Sequence, residues 1–265
     1  MIDKRFEAEF HDKRLMASDG QDLREEQSKY YWSVQRYADA FWREVLECST
    51  GKEVLEIGCF SGIRAVEVAA VAKSVCAIDI SPVAAEVTAE RAAAAGRHNV
   101  VAMVCDAEHL SFPDCAFDVV FATGVIHHVD VGKTLKEIVR ALKPGGKAIF
   151  REPLGHNPFI NLYRRLTPNV RTPDEHPLTV DDINSIRSLP VDVRIKYCGF
   201  FSLMSTPFRR TVIGDYIRRA TNTIDDIVFD NGFIGTYCWQ ANFTITKKSI
   251  VSPTPGGSQF GQEAT

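Results

Sequence analysis

The chain has 265 residues, of which 45% are hydrophobic and 25% are charged, and its formal net charge is −3. We expect a globular protein large enough for one α/β domain with appended elements. The slight acidic excess argues against a general nucleic-acid-binding protein, because such proteins usually carry a basic surplus. No apolar run reaches the length of a membrane span, and the charged N-terminus lacks the apolar region of a signal peptide. We therefore expect a cytoplasmic protein with no membrane partner.

The seven cysteines are odd in number and form no Cys-x-x-Cys pair. This pattern favours reduced thiols over a disulfide framework or a zinc site. Residues 1–50 are polar and helix-prone, with apolar residues at helical spacing at Val34, Tyr37, Ala38, Phe41 and Val45. The spacing predicts a helix that packs one stripe on the main domain.

A short apolar strand at residues 54–57 is followed by a glycine-punctuated turn and a helix from residue 62 to about residue 72. In a parallel α/β sheet, the ligand crevice lies at such a turn, outside the carboxyl end of the first strand. Gly58 and Gly62 allow a backbone geometry and a close approach that a Cβ atom would block. Taken alone the motif is a weak signal, because a tight turn without a ligand has the same pattern.

Three further apolar strands end in polar residues. The strand at 75–78 ends at Asp79, the strand at 100–104 leads to Asp106, and the strand at 117–121 leads to Thr123. Ser81 and Pro82 begin a helix that reaches residue 95, and Asp130 caps one that reaches residue 142. Because strands alternate with helices, the sheet is predicted to be parallel, with its polar strand ends at one edge. Such an edge is typical of a nucleoside site.

The chain changes in character after the fifth strand at residues 147–150. Residues 152–158 are rich in helix breakers, and a short helix is predicted at 161–165. Strands at 191–197 and 238–247 complete the sheet, while Arg209, Arg210, Arg218 and Arg219 lie in a helical-looking segment between them. The tail from residue 252 has the composition of a disordered segment.

Five segments together resemble the class I S-adenosylmethionine (SAM)-dependent methyltransferases, in the branch of small-molecule and quinone-biosynthesis enzymes. They are Glu56-Ile57-Gly58-Cys59-Phe60-Ser61-Gly62, Asp79-Ile80-Ser81, Asp106-Ala107, Val125-Ile126-His127-His128-Val129 and Leu142-Lys143-Pro144-Gly145-Gly146. The resemblance covers roughly residues 52–153, with the segments in the order and spacing of the family. One departure is Phe60, which replaces the middle glycine of the first motif and puts backbone approach to a ligand in doubt there.

The resemblance implies a Rossmann-like, seven-stranded, mostly parallel sheet with helices on both faces and an antiparallel last strand. It also implies an N-terminal helical lid (1–50), a SAM-binding core (51–153), a substrate-cap insertion (154–190) and a C-terminal part that completes the sheet (191–250), before the tail at 251–265. The cofactor would be SAM, with S-adenosylhomocysteine as product. Its binding residues would be Glu56, Gly58, Cys59, Gly62, Asp79, Ile80, Asp106, Ala107, Thr123 and His127. In that assignment Asp79 accepts from the ribose, Asp106 from the adenine amine, and Glu56 orients the methionine end.

The acceptor half of the site is less defined. Candidates for proton transfer or charge stabilisation are Glu152, His128 and His156, since a histidine titrates near neutral pH. Candidates for acceptor binding are Tyr30, Tyr31, Tyr163, Arg164, Arg165 and His176. The basic set Arg164, Arg165, Arg171, Arg209 and Arg210 would suit an anionic acceptor, such as a carboxylate, a phosphate or a prenyl diphosphate. The alternatives are a solvated basic face for the arginines, a salt bridge to Arg151 or Arg164 for Glu152, and a helix cap for His128.

We therefore expect a SAM-dependent methyltransferase of a small molecule, with the methylated atom (O, N or C) open and no metal. A nucleic-acid methyltransferase is disfavoured by the acidic balance and by Thr123-Gly124-Val125-Ile126, which stands where an Asn-Pro-Pro-Tyr-type sequence would be expected. A catalytically inactive SAM-binding partner protein is the other alternative. A dinucleotide oxidoreductase is disfavoured because the glycine spacing differs from Gly-x-Gly-x-x-Gly. The sequence leaves the oligomeric state open, with a homodimer as one option.

Overall fold

The computed structural model describes residues 28–166, 176–229 and 233–249, together with residues 4, 8, 9, 12, 13 and 15. Arg171 and the predicted tail at 251–265 lie outside the described residues. In the described part of the chain, no helix is long and apolar enough to cross a membrane. All seven cysteines are free thiols.

Seven strands form one sheet in the order β3-β2-β1-β4-β5-β7-β6. Strands β1 to β5 pair in parallel, whereas β7 is antiparallel to both β5 and β6. The predicted mostly parallel sheet with an antiparallel last strand is confirmed. The strands are β1 (Glu53–Ile57), β2 (Ser74–Asp79), β3 (Val100–Val104), β4 (Phe117–Thr123), β5 (Leu142–Pro153), β6 (Val191–Cys198) and β7 (Gln240–Lys247).

Helices cover both faces of the sheet. The α-helices of the described residues are α1 (Ser28–Ser33), α2 (Gln35–Ser49), α3 (Ile63–Ala69), α4 (Pro82–Ala94), α5 (Val131–Ala141), α6 (Pro158–Leu166), α7 (Val180–Ser188) and α8 (Gly214–Phe229). Short 3-10 helices lie at Ile126–His128, Phe201–Phe208 and Phe233–Tyr237. Helix α2 buries Tyr37, Phe41 and Val45, so the stripe predicted from helical spacing packs on the domain.

The predicted helix starts hold, but one predicted helix is too long. The Ser81 hydroxyl accepts from the Ala84 amide at 2.9 Å, and Asp130 Oδ1 accepts from the Lys133 amide at 3.0 Å. Helix α3 starts one residue after the predicted Gly62 and ends at Ala69 rather than near residue 72. The reason is that residues 71 and 73 bond to the two residues before β1: the Val71 carbonyl accepts from the Gly51 amide at 2.8 Å, and the Lys73 amide donates to the Lys52 carbonyl at 2.9 Å.

Helices α6, α7 and α8 lie in the part of the chain that follows β5. The predicted short helix is part of the longer α6, and the segment that contains Arg209 and Arg210 precedes α8 rather than belonging to it. A buried carboxylate organises this region: Asp225 of α8 accepts from the amides of Gly199, Phe200, Phe201 and Ser202 at 2.7 to 3.2 Å. Four amides around one carboxylate fix the turn that leads from β6 into the 3-10 helix Phe201–Phe208.

Candidate active site

The turn after β1 requires glycine at both predicted positions. Gly58 and Gly62 have φ values of 77° and 73°, in the left-handed region that favours glycine. A Cβ atom would lie 2.3 Å from Val125 Cγ2 at Gly58 and 2.7 Å from Thr88 Cα at Gly62. The turn is also bonded to β2, because the amides of Gly58 and Cys59 both donate to the Ile78 carbonyl. It is therefore a rigid corner between β1 and helix α3.

Glu56 is a buried carboxylate in β1, two residues before the turn. The residue is 4% exposed, and its Oε2 atom has no hydrogen-bond partner among the residues that the structure describes. Burial, and then the charge of Asp79, raises the pKa of Glu56 well above its usual value of 4.5. An ionised carboxylate in this place needs a donor. The ammonium group of the methionine part of SAM would be such a donor, so this residue fits the expected cofactor.

Asp79, at the end of β2, holds the middle of the turn. Its Oδ2 atom accepts from the Phe60 amide and its Oδ1 atom from the Ser81 amide, both at 3.0 Å. Phe60 has φ 44°, so it keeps a left-handed conformation although it is not glycine. Holding a non-glycine residue there costs on the order of 1–2 kcal/mol, which the Asp79 contact helps to offset. The doubt that the sequence raised over Phe60 thus concerns its side chain and not the path of the backbone.

Asp106 follows β3 and lies in a group of charged side chains. Its Oδ1 atom accepts from the Glu108 amide at 2.9 Å, and its Oδ2 atom contacts the ammonium of Lys4. Burial raises the pKa of Asp106, but the hydrogen bonds from Lys4 and from the Glu108 amide outweigh it, so the pKa lies below its usual value. Lys4 also pairs with Glu108 at 3.2 Å. The start of the chain therefore contacts the residue expected to bind adenine.

Glu152, at the end of β5, is fully buried and anchors the segment after β4. Its Oε1 atom accepts from the amides of Val125 and Ile126 at 3.1 and 3.0 Å, and its Oε2 atom lies 2.7 Å from His127 Nδ1. Glu152 pairs with His127, and Arg151 donates to Gln240 Oε1 at 2.9 Å. Because both of its oxygens have donors, Glu152 is placed to orient His127.

The other candidate histidines are His128 beside His127, His156 at the start of α7, and His176 near the crevice. The ring of His128 lies beside that of His127, with 4.1 Å between centroids and 44° between the ring planes. Asp130, and not His128, caps the following helix α5. His156 Nε2 accepts from the Val180 amide at 3.3 Å, which ties it to the start of α7. His176 is close to the crevice through its backbone, since its amide donates to the His127 carbonyl at 3.1 Å.

Three of the aromatic candidates come together at the same edge of the sheet. The ring of Tyr30 lies 5.3 Å from Tyr163, and the ring of Tyr31 lies 5.1 Å from Trp239, between centroids. Sequence reasoning missed Trp239 as a member of this group, because it was assigned to the alternating pattern of a strand. Its position directly before an antiparallel strand was the available signal, since that end of β7 lies beside the carboxyl end of β5. The group forms an aromatic wall, which we define as Tyr30, Tyr31, Tyr163 and Trp239.

The two arginines of α6 differ in their surroundings. Arg164 Nη1 donates to the Leu154 carbonyl at 3.1 Å and to Asn161 Oδ1 at 2.9 Å, so it braces the connection between β5 and α6. Arg165 is exposed. No described residues form a group of three or more His, Cys, Asp or Glu side chains arranged to hold a metal ion.

Three other residues predicted to contact the cofactor follow or end strands at the same edge of the sheet. Ile80 follows Asp79, buried Ala107 follows Asp106, and Thr123 is exposed at the end of β4. Cys59 differs from them: its Sγ atom lies 3.2 Å from Thr88 Oγ1, and its carbonyl accepts from the Gly62 amide. Because its side chain contacts helix α4 and its carbonyl is bonded within the turn, these contacts give no support to a cofactor contact by Cys59.

A family model described as "Methyltransferase domain" matches residues 55–150. This span starts in β1, ends in β5, and includes the glycine turn, both strand-end aspartates and the segment that Glu152 anchors. Residues 55–150 therefore match this methyltransferase-domain family, in agreement with the predicted class I resemblance and its SAM cofactor.

Named relatives share this methyltransferase domain over part of their length. The chain is 33% identical over 120 residues to sterol 4-C-methyltransferase strm-1 of Caenorhabditis elegans, covering 44% of this chain and 35% of the relative. It is 35% identical over 101 residues to the ubiquinone/menaquinone biosynthesis C-methyltransferase UbiE of Haemophilus ducreyi, covering 37% and 38%. Thus the match spans little more than a third of either relative's length. The crystal structure of the [4+2]-cyclase SpnF is similar in fold, with a TM-score of 0.56, 23% identity, and coverage of 81% of this chain and 82% of that one.

Proposed function

We propose that the protein transfers a methyl group from SAM to an apolar small-molecule acceptor. The observation that carries the cofactor half is Glu56, whose buried Oε2 atom has no protein donor in the described part of the chain. When bound, SAM supplies an electrophilic methyl group on a sulfonium. The task of the protein is then to hold the acceptor in line with that methyl, and positioning of this kind is worth roughly 7–11 kcal/mol.

Within this proposal each strand end has one role toward the cofactor. Glu56 accepts from the ammonium, Asp79 accepts from the ribose hydroxyls, and Asp106 accepts from the adenine amine. The remaining contacts are assigned to Gly58, Gly62, Ile80, Ala107, Thr123 and His127, with Cys59 as the weakest member of the set. The two glycines are needed for close packing, because a Cβ atom at Gly58 would clash with Val125 and one at Gly62 with Thr88.

The acceptor is assigned to the space between the cofactor edge and the aromatic wall. Aromatic rings favour an apolar or cationic group beside them, and the names of two relatives refer to sterol and quinone substrates. The partly buried Arg164 and the exposed Arg165 are the proposed partners of an anionic group on the acceptor. His176, whose amide contacts His127, lies beside the same space.

If the acceptor loses a proton, the pair His127 and Glu152, with the ring of His128 beside it, is the proposed proton acceptor. Glu152 orients His127 through the 2.7 Å contact, much as a carboxylate orients the imidazole in other acid–base pairs. His156 is a less direct candidate because its Nε2 atom already accepts from Val180. If the acceptor is an alkene, the aromatic wall and Glu152 would stabilise positive charge instead.

We assign residues 1–50 to a lid and residues 154–190 to a substrate cap over the core at 51–153. Contacts of the chain start support the lid: Lys4 contacts Asp106 and Glu108, and the Ser81 hydroxyl donates to Asp12. Tyr30 and Tyr31 of the same region belong to the aromatic wall. These contacts lie along the carboxyl ends of β2, β3 and β5, where a lid would have to close.

The test begins with calorimetric titration of the protein with SAM and with S-adenosylhomocysteine, beside the Asp79→Ala variant. Binding that is lost in the variant supports the cofactor assignment, and formation of S-adenosylhomocysteine with sterol-like, quinol or isoprenoid acceptors then tests the transfer. Absence of SAM binding to the intact protein would contradict the proposal. Binding without turnover on any acceptor class would instead favour a catalytically inactive SAM-binding partner.

A further inference from the structure

Helix α6 exposes three large apolar side chains on one face. Phe159, Leu162 and Leu166 recur at the spacing i, i+3 and i+7, and they are 58%, 58% and 72% exposed. Side chains at this spacing form one stripe along a helix. On another face of the helix, Ile160 is buried in a cluster with Cys198 and Trp239. The helix therefore carries apolar side chains on two faces, of which only one is covered. A stripe of this kind in contact with water costs free energy unless something covers it.

The neighbouring 3-10 helix continues this surface. Leu203 packs in the same buried cluster as Ile160, and the ring of Phe159 lies 6.0 Å from that of Phe200. These contacts place Phe159 beside the residue that precedes the 3-10 helix Phe201–Phe208. We define the apolar cap surface as the exposed side chains of Phe159, Leu162, Leu166, Met204, Phe208 and Ile213.

The apolar cap surface carries a strong local positive charge. Residues 158–166 and 201–220 contain six arginines (164, 165, 209, 210, 218 and 219) against one acid, Asp215, which leaves five net positive charges in a chain whose total is −3. Arg165, Arg210 and Arg219 are exposed, and Asp215 is paired with Arg218 at 2.8 Å. Apolar side chains flanked by arginines are the composition of a helix that lies in the headgroup region of a bilayer.

We propose that the apolar cap surface docks on an anionic lipid bilayer, with the apolar side chains in the interface and the arginines at the headgroups. A second copy of the chain is a poorer occupant, because it would bring the exposed Arg165, Arg210 and Arg219 of one copy against those of the other. The lack of a long apolar run in the sequence predicts no membrane-spanning segment, and a peripheral contact is a different physical case. Docking here would place the aromatic wall beside the bilayer, so a lipid-soluble acceptor could pass directly to the site. This last consequence rests on the proposed function, whereas docking itself does not.

The experiment is co-sedimentation of the full chain with vesicles of phosphatidylcholine, with and without phosphatidylglycerol. We expect binding to the mixed vesicles that weakens with added salt, as electrostatic attraction to anionic lipid does. The variant Phe159→Ser/Leu162→Ser/Leu166→Ser should lose that binding, and Arg165→Gln/Arg210→Gln should weaken it by about fivefold for each arginine removed. The matched control is Val101→Ser/Val104→Ser, which changes exposed residues of the edge strand β3 (61% and 52%) and should bind like the wild type.

SAM titration of the same variants separates this proposal from the proposed function. We expect the triple serine variant to bind SAM as the wild type does, because it leaves the cofactor edge intact. Absence of binding to the mixed vesicles by a protein that binds SAM would overturn the docking proposal and leave the methyltransferase proposal standing. Equal loss in the β3 control would also overturn it. So would a homodimer in solution that the triple variant dissociates, since the surface would then belong to a second copy.

Discussion

Replacing Glu56 by glutamine should weaken SAM binding without lowering the stability of the ligand-free protein. A hydrogen bond to a charged group is worth about 1.5–3 kcal/mol, so the loss of the ammonium contact raises the Kd for SAM by about 10- to 150-fold. The free protein loses no internal hydrogen bond to the Oε2 atom, which has no partner in the described residues. Its free energy of unfolding should therefore stay the same or rise by up to about 2 kcal/mol, because a buried charge is removed.

Unfolding with and without SAM measures both effects together. At a SAM concentration of about 100 times the wild-type Kd, the ligand stabilises the wild type by about 2.7 kcal/mol. For a chain near this size that corresponds to a Tm increase of roughly 5–11 °C. In Glu56→Gln the same concentration should stabilise by only about 0.3–1.3 kcal/mol. The matched control is Glu67→Gln, which removes an exposed ion pair with Arg64 and should keep the full SAM shift.

The pH dependence gives a second, independent sign. Because the folded-state pKa of Glu56 lies above 4.5, the folded protein holds this proton more tightly than the unfolded chain does. The wild type should lose stability relative to Glu56→Gln as the pH rises from about 4.5 toward that raised pKa. If the free variant is instead less stable by more than about 2 kcal/mol and its SAM shift is unchanged, Glu56 has a protein partner and the reasoning is wrong.

Three further variants test other parts of the site. If Lys4 competes with adenine for Asp106, Lys4→Ala should tighten SAM binding by up to about fivefold, which is the strength of an exposed ion pair. Calorimetry measures the change in Kd. Weaker binding would instead make Lys4 a cofactor contact. Phe60→Gly should leave the urea midpoint of unfolding nearly unchanged or raise it slightly. The reason is that removing the backbone strain at φ 44° offsets the added freedom of the unfolded chain. SAM binding that appears only in this variant would mean that the Phe60 ring blocks the site. Hydrogen bonds from Lys143 and Lys73 lower the pKa of Glu53 to about 2. The difference in free energy of unfolding between the wild type and Glu53→Gln should therefore be largest above about pH 4.5 and should disappear as the pH falls toward 2. A difference that is constant with pH would refute this assignment.

The sheet and the cofactor edge were predictable because their signals are local. A strand, a glycine turn and a strand-end acid fall within a few residues of one another, and the caps at Ser81 and Asp130 act on amides three residues away. The end of α3 was not predictable in this way, because it is set by hydrogen bonds to the two residues before β1. Local patterns therefore locate the elements more accurately than their ends.

The acceptor half depends on contacts between residues that are distant in the chain. The role of Glu152 is decided by the Val125 and Ile126 amides and by His127, which no spacing rule places beside it. Trp239 joins Tyr31 only because β7 returns antiparallel to β5. A sequence pattern identifies such side chains as candidates, but the partner that fixes the role of each comes from the fold.

The anchoring of the post-β4 segment by Glu152 sets a rule for building chimeras of this domain. Glu152 binds the amides of Val125 and Ile126, and Val125 in turn fills the space that the missing Cβ of Gly58 leaves open. The end of β5, the segment after β4 and the glycine turn are thus one mechanical unit. A cap grafted from another protein should therefore be joined after Pro153, where the recipient keeps its own carboxylate. A junction placed upstream of Glu152 would exchange the anchor of the cofactor turn together with the acceptor pocket.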